Sequence, residues 1–145
     1  MTAPPLLLVE DDENDVLLFE RALRKVEARA VLHVVRDGEE ALDYVNGRGV
    51  YVDRVKHPLP RVMVLDLNLP RKRGIDVLRE LHGHARLGEI PVVVLTASSS
   101  LLDMRDAYDA GASSFLVKPG DLQQLNELVG VLAAYWLHLN RVPSA

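Results

Sequence analysis

Apolar positions fall in short blocks along this chain, and each block is halted by a charged or hydroxyl residue. Leu6-Leu7-Leu8-Val9 stops at Glu10-Asp11-Asp12, and Val62-Met63-Val64-Leu65 stops at Asp66. Ile90-Pro91-Val92-Val93-Val94-Leu95 stops at Thr96-Ala97-Ser98-Ser99-Ser100. Branched apolar runs of this length, bounded by turn formers, read as strands buried on both faces. Ala30–Val35, leaving through Arg36-Asp37-Gly38, and Ser114–Val117, ending at Lys118-Pro119-Gly120, complete five.

Helical spacing fills the intervals. Val16, Leu17, Leu23 and Val26, flanked by Phe19, share roughly one face after a cap at Asp12 or Asn14. Ala41, Leu42 and Val45 lie in a short helix Glu39–Val45, closed by Asn46-Gly47-Arg48-Gly49 because glycine takes the left-handed conformation of a helix end. Ile75, Val77, Leu78 and Leu81 follow Gly74, and Leu101–Ala110 is ended by Gly111. Asp121 caps a last helix that runs to about Asn140. His82–Glu89 reads as a linker, and the stretch from about 47 to 60 as a long surface loop. That loop is either a contact element or a tolerated insertion.

The alternation is βα five times. It predicts an α/β domain with a parallel sheet, wound by right-handed crossovers and covered by helices on both faces. In such sheets ligands sit outside the carboxyl ends of the strands. An isolated Asp66 could be no more than a turn cap. However, Glu10, Asp11, Asp66, Thr96 and Lys118 all stand at strand ends that converge on one crevice.

At 145 residues the chain suits one domain, and its 48% apolar and 26% charged residues are ordinary for a globular protein. The formal charge of −4, with no long basic run, argues against a nucleic-acid arm. Cysteine is absent, which removes disulfides, thiolate metal sites and a cysteine nucleophile. No stretch approaches the ~20 apolar residues of a membrane span, and no signal peptide is visible. A soluble cytoplasmic protein is the expectation.

Charge then defines the chemistry. Two like charges ~4 Å apart repel by roughly 4 kcal/mol at an effective dielectric of about 20, so three converging carboxylates need more than one lysine. Carboxylates with backbone carbonyls make the oxygen environment that magnesium prefers. A lysine and a threonine suit the oxygens of a phosphoryl group. The set is built to form an acyl phosphate on Asp66. No base is placed for triad hydrolysis, and the five histidines lack ligand spacing.

LLLVEDDENDV, VLDLNLPRKRG, VVVLTASS and FLVKPGD, in this order and spacing, resemble the receiver domain of two-component response regulators over essentially the whole chain. The resemblance implies a doubly wound, flavodoxin-like sheet of order 2-1-3-4-5 and phosphorylation of Asp66 by a sensor histidine kinase. It implies that Asp11, Asp66 and the backbone carbonyl of Asn68 ligate magnesium (manganese being a substitute), and that Glu10 acts through water. Asp12 is read as a helix cap. Thr96 and Lys118 would hold the phosphoryl group, Thr96 with Phe115 would form the conformational switch, and Asn68 and Ser98 would tune dephosphorylation. It also implies a cis Lys118-Pro119 bond, as in many family members. Arg71-Lys72-Arg73 departs from the acidic or neutral residue usual before the glycine; kinase docking and a solvated loop are both open.

No output domain follows the receiver in the given sequence, which argues against direct DNA binding and for an unidentified downstream protein. In the last helix Leu122, Leu125, Val129, Leu132 and Trp136 form the stripe expected on the sheet. Leu128, Val131, Tyr135 and Leu139 form an adjacent stripe expected to serve a homodimer. The helix, about 30 Å long, overhangs strands of ~17–20 Å. The loop, the DLNLP run and the AYWL tail together are similar to the small regulators paired with bacterial phytochrome kinases. Two other classes remain: a phosphorylation-independent pseudo-receiver scaffold, and an aspartyl-phosphate phosphatase, which Asn68 disfavours because that place needs a second acid.

Overall fold

The computed structural model describes residues 3–143. Five parallel strands, β1 (Pro5–Val9), β2 (Val31–Val35), β3 (Val62–Leu65), β4 (Val92–Thr96) and β5 (Ser114–Val117), pair in the order β2-β1-β3-β4-β5. Five helices alternate with them: α1 (Glu13–Lys25), α2 (Gly38–Asn46), α3 (Gly74–His82), α4 (Leu101–Asp109) and α5 (Leu122–Ala133). The expected strand order and the two-sided helical cover are both found.

Strand side chains alternate between two cores. Leu7, Val9, Met63, Leu65, Val92 and Val94 point to the side of α2 and α3, where Val77, Leu78 and Ala107 meet them. Leu6, Leu8, Val62, Val64, Val93 and Leu95 point to the side of α1 and α5, against Phe19, Leu23, Val129 and Leu132. Both faces of β1, β3 and β4 are thus removed from water, as their unbroken apolar runs require. β2 lies at one sheet edge and is only partly buried.

Asp12 and Asp121 cap their helices as expected, and Asp37, read from the sequence as part of an exit turn, caps α2. Asp12 accepts from the Asp15 amide at 3.0 Å, Asp37 from Glu40 at 2.7 Å and Asp121 from Gln124 at 3.1 Å. Of the two candidates for α1, Asp12 is the cap and Asn14 lies inside the helix.

The stretch from 47 to 60 is more ordered than its composition suggests. A 3₁₀ turn spans Gly49–Tyr51. The Arg54 guanidinium donates to the carbonyls of Tyr44 and Val45, both at 2.8 Å, and of His57 at 3.1 Å, satisfying carbonyls at the end of α2. Tyr44 donates its hydroxyl to Pro58 O at 2.9 Å, and Tyr51 to Glu40 at 2.7 Å.

The last helix departs from even spacing. After Ala133 it continues as a π-helical segment, Ala134–Leu139, with Asn140 N–H donating to Tyr135 O at 2.6 Å. The wider turn shifts the inward register by one residue, so Leu137 is the buried side chain and Trp136 is only partly covered. Leu122, expected on the sheet, is instead 61% exposed in the first turn of α5. Leu128, expected to lack a partner, is partly buried against the core. Val131, Tyr135 and Leu139 do remain exposed. Among the described residues no helix is long and apolar enough to cross a membrane.

Candidate functional site

The sheet delivers its polar strand ends to one place. β1 leads directly into Glu10, 3% exposed, whose amide donates to Val35 O at 3.0 Å and so continues the ladder to β2. β3 leads into Asp66, 7% exposed, whose amide donates to Val9 O at 3.1 Å. β4 ends in fully buried Thr96, and the Lys118 amide after β5 donates to Thr96 O at 2.8 Å. The backbone ladder that builds the sheet therefore fixes the spacing of the site.

Glu10, Asp11 and Asp66 each offer a carboxylate oxygen within 4.8 Å of the others; Asp11 is exposed, and the other two are buried. The Lys118 ammonium reaches Glu10 at 2.6 Å, Asp15 at 2.8 Å and Asp66 at 2.9 Å. Asp66 divides its oxygens, Oδ2 accepting from Lys118 and Oδ1 from the Asn68 amide at 3.1 Å. Gly74 permits this turn: a Cβ there would lie 2.4 Å from the Asp66 carbonyl oxygen and 2.7 Å from Leu67 Cα.

Four carboxylates against one ammonium leave a net negative charge. Burial pushes the Glu10 carboxyl up to about 7, with the Asp66 charge adding to the rise, while the Lys118 and Asp12 hydrogen bonds oppose it. Lys118 is held above the ordinary lysine range by hydrogen bonds to Asp15, Glu10 and Asp66, which outweigh its burial. Burial is the largest single influence on the ammonium and acts to lower it, so the carboxylates together must exceed it. An oxygen-only, electron-rich cluster with too few cations fits a hard divalent ion. Glu10, Asp11 and Asp66 are the side chains that could hold one.

The other expected site residues are less uniformly gathered. Phe115 is partly buried against the α2–α3 core, paired in register with Val94. Ser98 is turned away: its hydroxyl donates to Asp103 at 2.6 Å, and its amide lies 3.4 Å from Thr96 Oγ1. The Asn68 side chain is exposed. Among the described residues no peptide bond is cis, so Lys118-Pro119 is trans, contrary to the expectation from the resemblance. Trans is favoured by ~0.5–1 kcal/mol at proline, and here it already brings the lysine onto its carboxylates. The sequence reading overlooked Asp15. Its signal was there: an acid in the first turn of the helix that follows Glu10-Asp11, pointing back to the same sheet edge.

A raised Glu10 pKa has a definite sign. In the unfolded chain Glu10 ionises near the ordinary 4.5, while in the folded chain it does so near 7. The stability it contributes is thus complete below about pH 4.5 and lost as pH rises through 7, on the order of 3 kcal/mol. In metal-free buffer, Glu10→Gln should gain stability relative to the natural chain between pH 5 and pH 8, as followed by urea unfolding. Parallel pH curves for the two proteins would contradict this charge balance.

Comparison with known proteins agrees with this geometry. The family model described as the response regulator receiver domain matches residues 6–130. The probable methanogenesis regulatory protein FilR2 of Methanothrix harundinacea is 39% identical over 141 residues, 95% of this chain and 86% of that protein. Response regulator Rcp1 of Synechocystis is 35% identical over 144 residues, 98% and 96% of the two chains. The Mn2+-bound form of Rcp1 superposes with a TM-score of 0.86 at 33% identity, covering 97% of this chain and 99% of that one. The phosphorylated cyanobacterial phytochrome response regulator RcpA gives 0.90 at 34% identity, covering 99% and 100%. This chain belongs to the response regulator receiver domain family.

Proposed function

We propose that this chain takes a phosphoryl group onto Asp66 from the phosphohistidine of a sensor histidine kinase. The observation that carries the reading is the buried Asp66 carboxylate, held by Lys118 beside the Glu10-Asp11 pair. A carboxylate oxygen of Asp66 attacks phosphorus. The new O–P bond forms as the N–P bond to imidazole breaks, and the imidazole keeps the electron pair. Magnesium, held by Asp11, Asp66 and the Asn68 carbonyl with Glu10 acting through water, would neutralise the phosphoryl charge. Lys118 moves from its carboxylates to a phosphoryl oxygen, and the Thr96 hydroxyl donates to another. Drawing Thr96 toward the phosphoryl group opens space for Phe115, which biases the surface of α4, β5 and α5. Asn68 and Ser98 tune the reverse reaction, Ser98 after leaving Asp103.

Manganese as a substitute metal is supported by the Mn2+-bound form of Rcp1, and a phytochrome-type kinase by the phytochrome regulator RcpA. FilR2 carries a different physiological label, so the receiver chemistry is the common ground among these relatives. Receiver domains signal and are not turnover enzymes. Neither the scaffold nor the phosphatase reading is favoured, since the acidic, threonine and lysine set is whole and Asn68 supplies no second acid. The reading places the protein in the cytoplasm, acting on a protein target and not on DNA.

We also assign the exposed face of the last helix to a homodimer. Val131 is 71% exposed, Tyr135 47% and Leu139 69%, with Leu128 at the buried margin. Apolar side chains this open on one face are covered most simply by a second copy.

Two measurements follow. Acetyl phosphate with magnesium should add one phosphoryl group by intact-protein mass spectrometry, and Asp66→Asn should add none; modification of the Asp66→Asn variant to the same extent would refute Asp66 as acceptor. In sedimentation velocity at micromolar concentration the natural chain should run as a dimer and Val131→Glu as a monomer. A natural chain that stays monomeric at high micromolar concentration ends the dimer assignment.

A further inference from the structure

The basic tripeptide before α3 takes no part in the phosphoryl site, yet Lys72, only partly exposed, is engaged by two carboxylates. Its ammonium pairs with Glu80 of α3 in a close contact and lies 3.8 Å from Glu39 in the first turn of α2. Its backbone presses on the same helix: a Cβ at Gly38 would sit 2.0 Å from Lys72 O and 2.8 Å from Lys72 Cβ. Only glycine allows that approach. Arg71 adopts φ 67°, rare for a residue with a side chain, and its Nε lies 3.8 Å from Asp37, the cap of α2. The loop also folds on itself, Lys72 N–H donating to Pro70 O at 2.7 Å and Gly74 N–H to Leu67 O at 3.0 Å.

The segment so fastened, 67–73, starts at Asp66 and carries Asn68. Magnesium demands near-ideal octahedral geometry at about 2.0–2.1 Å, so small displacements of a ligand loop weaken binding. We propose that Lys72, clasped to Glu39 and Glu80 over Gly38, is a positioning residue that sets the height of the β3–α3 loop, and with it the place of Asp66 and the Asn68 carbonyl for the divalent ion. The inference rests on the metal-assisted phosphoacceptor reading and adds the element that holds its ligand loop.

Charge makes the test decisive. Removing a cation near a divalent-ion site favours the ion by Coulomb's law, whereas loosening the loop disfavours it. Lys72→Met should bind magnesium about tenfold more weakly, against the electrostatic trend. Lys72→Arg should restore most of the affinity, and the charge-neutral Gly38→Ala should weaken it as Lys72→Met does. Magnesium titrations of the full chain, followed by amide NMR shifts at Asp66 and Asn68, report affinity and foldedness together. Lys72 is partly exposed at the surface, so its variants keep the core. Equal or tighter magnesium binding by Lys72→Met overturns the inference while leaving the phosphoacceptor reading intact. A natural chain that binds no magnesium overturns both.

Discussion

At the carboxyl edge of the sheet one ammonium faces four carboxylates, and much else in the molecule serves to keep it there. Lys118 contacts Glu10, Asp15 and Asp66 within hydrogen-bonding distance, while Asp11 stands beside them. The cluster is too negative to be at rest. Its imbalance shows in Glu10, which burial and the neighbouring Asp66 push up to about 7. A divalent cation and a phosphoryl group answer the two halves of this problem: the first offsets the carboxylates, and the second gives the lysine a different anion to hold. Binding and signalling follow from one electrostatic deficit.

The fold supplies the convergence. Because β1 and β3 are neighbours in register, Glu10 and Asp66 follow adjacent strand ends, and the β4–β5 pair brings Lys118 to Thr96. Apolar packing on both faces of β1, β3 and β4 holds these strand ends in place. The loops then refine them: Gly74 lets α3 start against the Asp66 carbonyl, and Gly38 lets α2 support the β3–α3 turn. In the last helix, by contrast, Val131 of α5 and Tyr135 and Leu139 of the π-helical segment stand outside the core.

The strands were legible because their apolar runs are short and closed by a polar residue, whereas their order was implied by the resemblance to receiver domains. The same closure revealed Glu10, Asp11, Asp66, Thr96 and Lys118. Three-dimensional effects hid the rest. Asp15 stands in the first turn of α1, not at a strand end, so closure of the apolar runs did not mark it, yet it meets Lys118 at 2.8 Å. Leu137 replaced Trp136 in the core because a wider helical turn cannot be read from even spacing. Arg54 looked like a loop charge, yet it caps α2 through the Tyr44 and Val45 carbonyls and ties them to His57 O in the loop. Lys72 looked like part of a basic surface run, yet its partners are a glycine and two glutamates from other elements. For Asp15, Arg54 and Lys72 the missing information was contact between elements, and for Leu137 it was the local widening of the helix.

Chemical mapping of the phosphoryl group tests the central assignment most directly. Borohydride reduces an acyl phosphate on aspartate to homoserine, and peptide mass spectrometry then locates it. After treatment with acetyl phosphate and magnesium, homoserine at position 66 alone is the expected result. Homoserine at position 11 or 15, or an unreduced Asp66 in protein that has gained a phosphoryl group, would contradict the assignment.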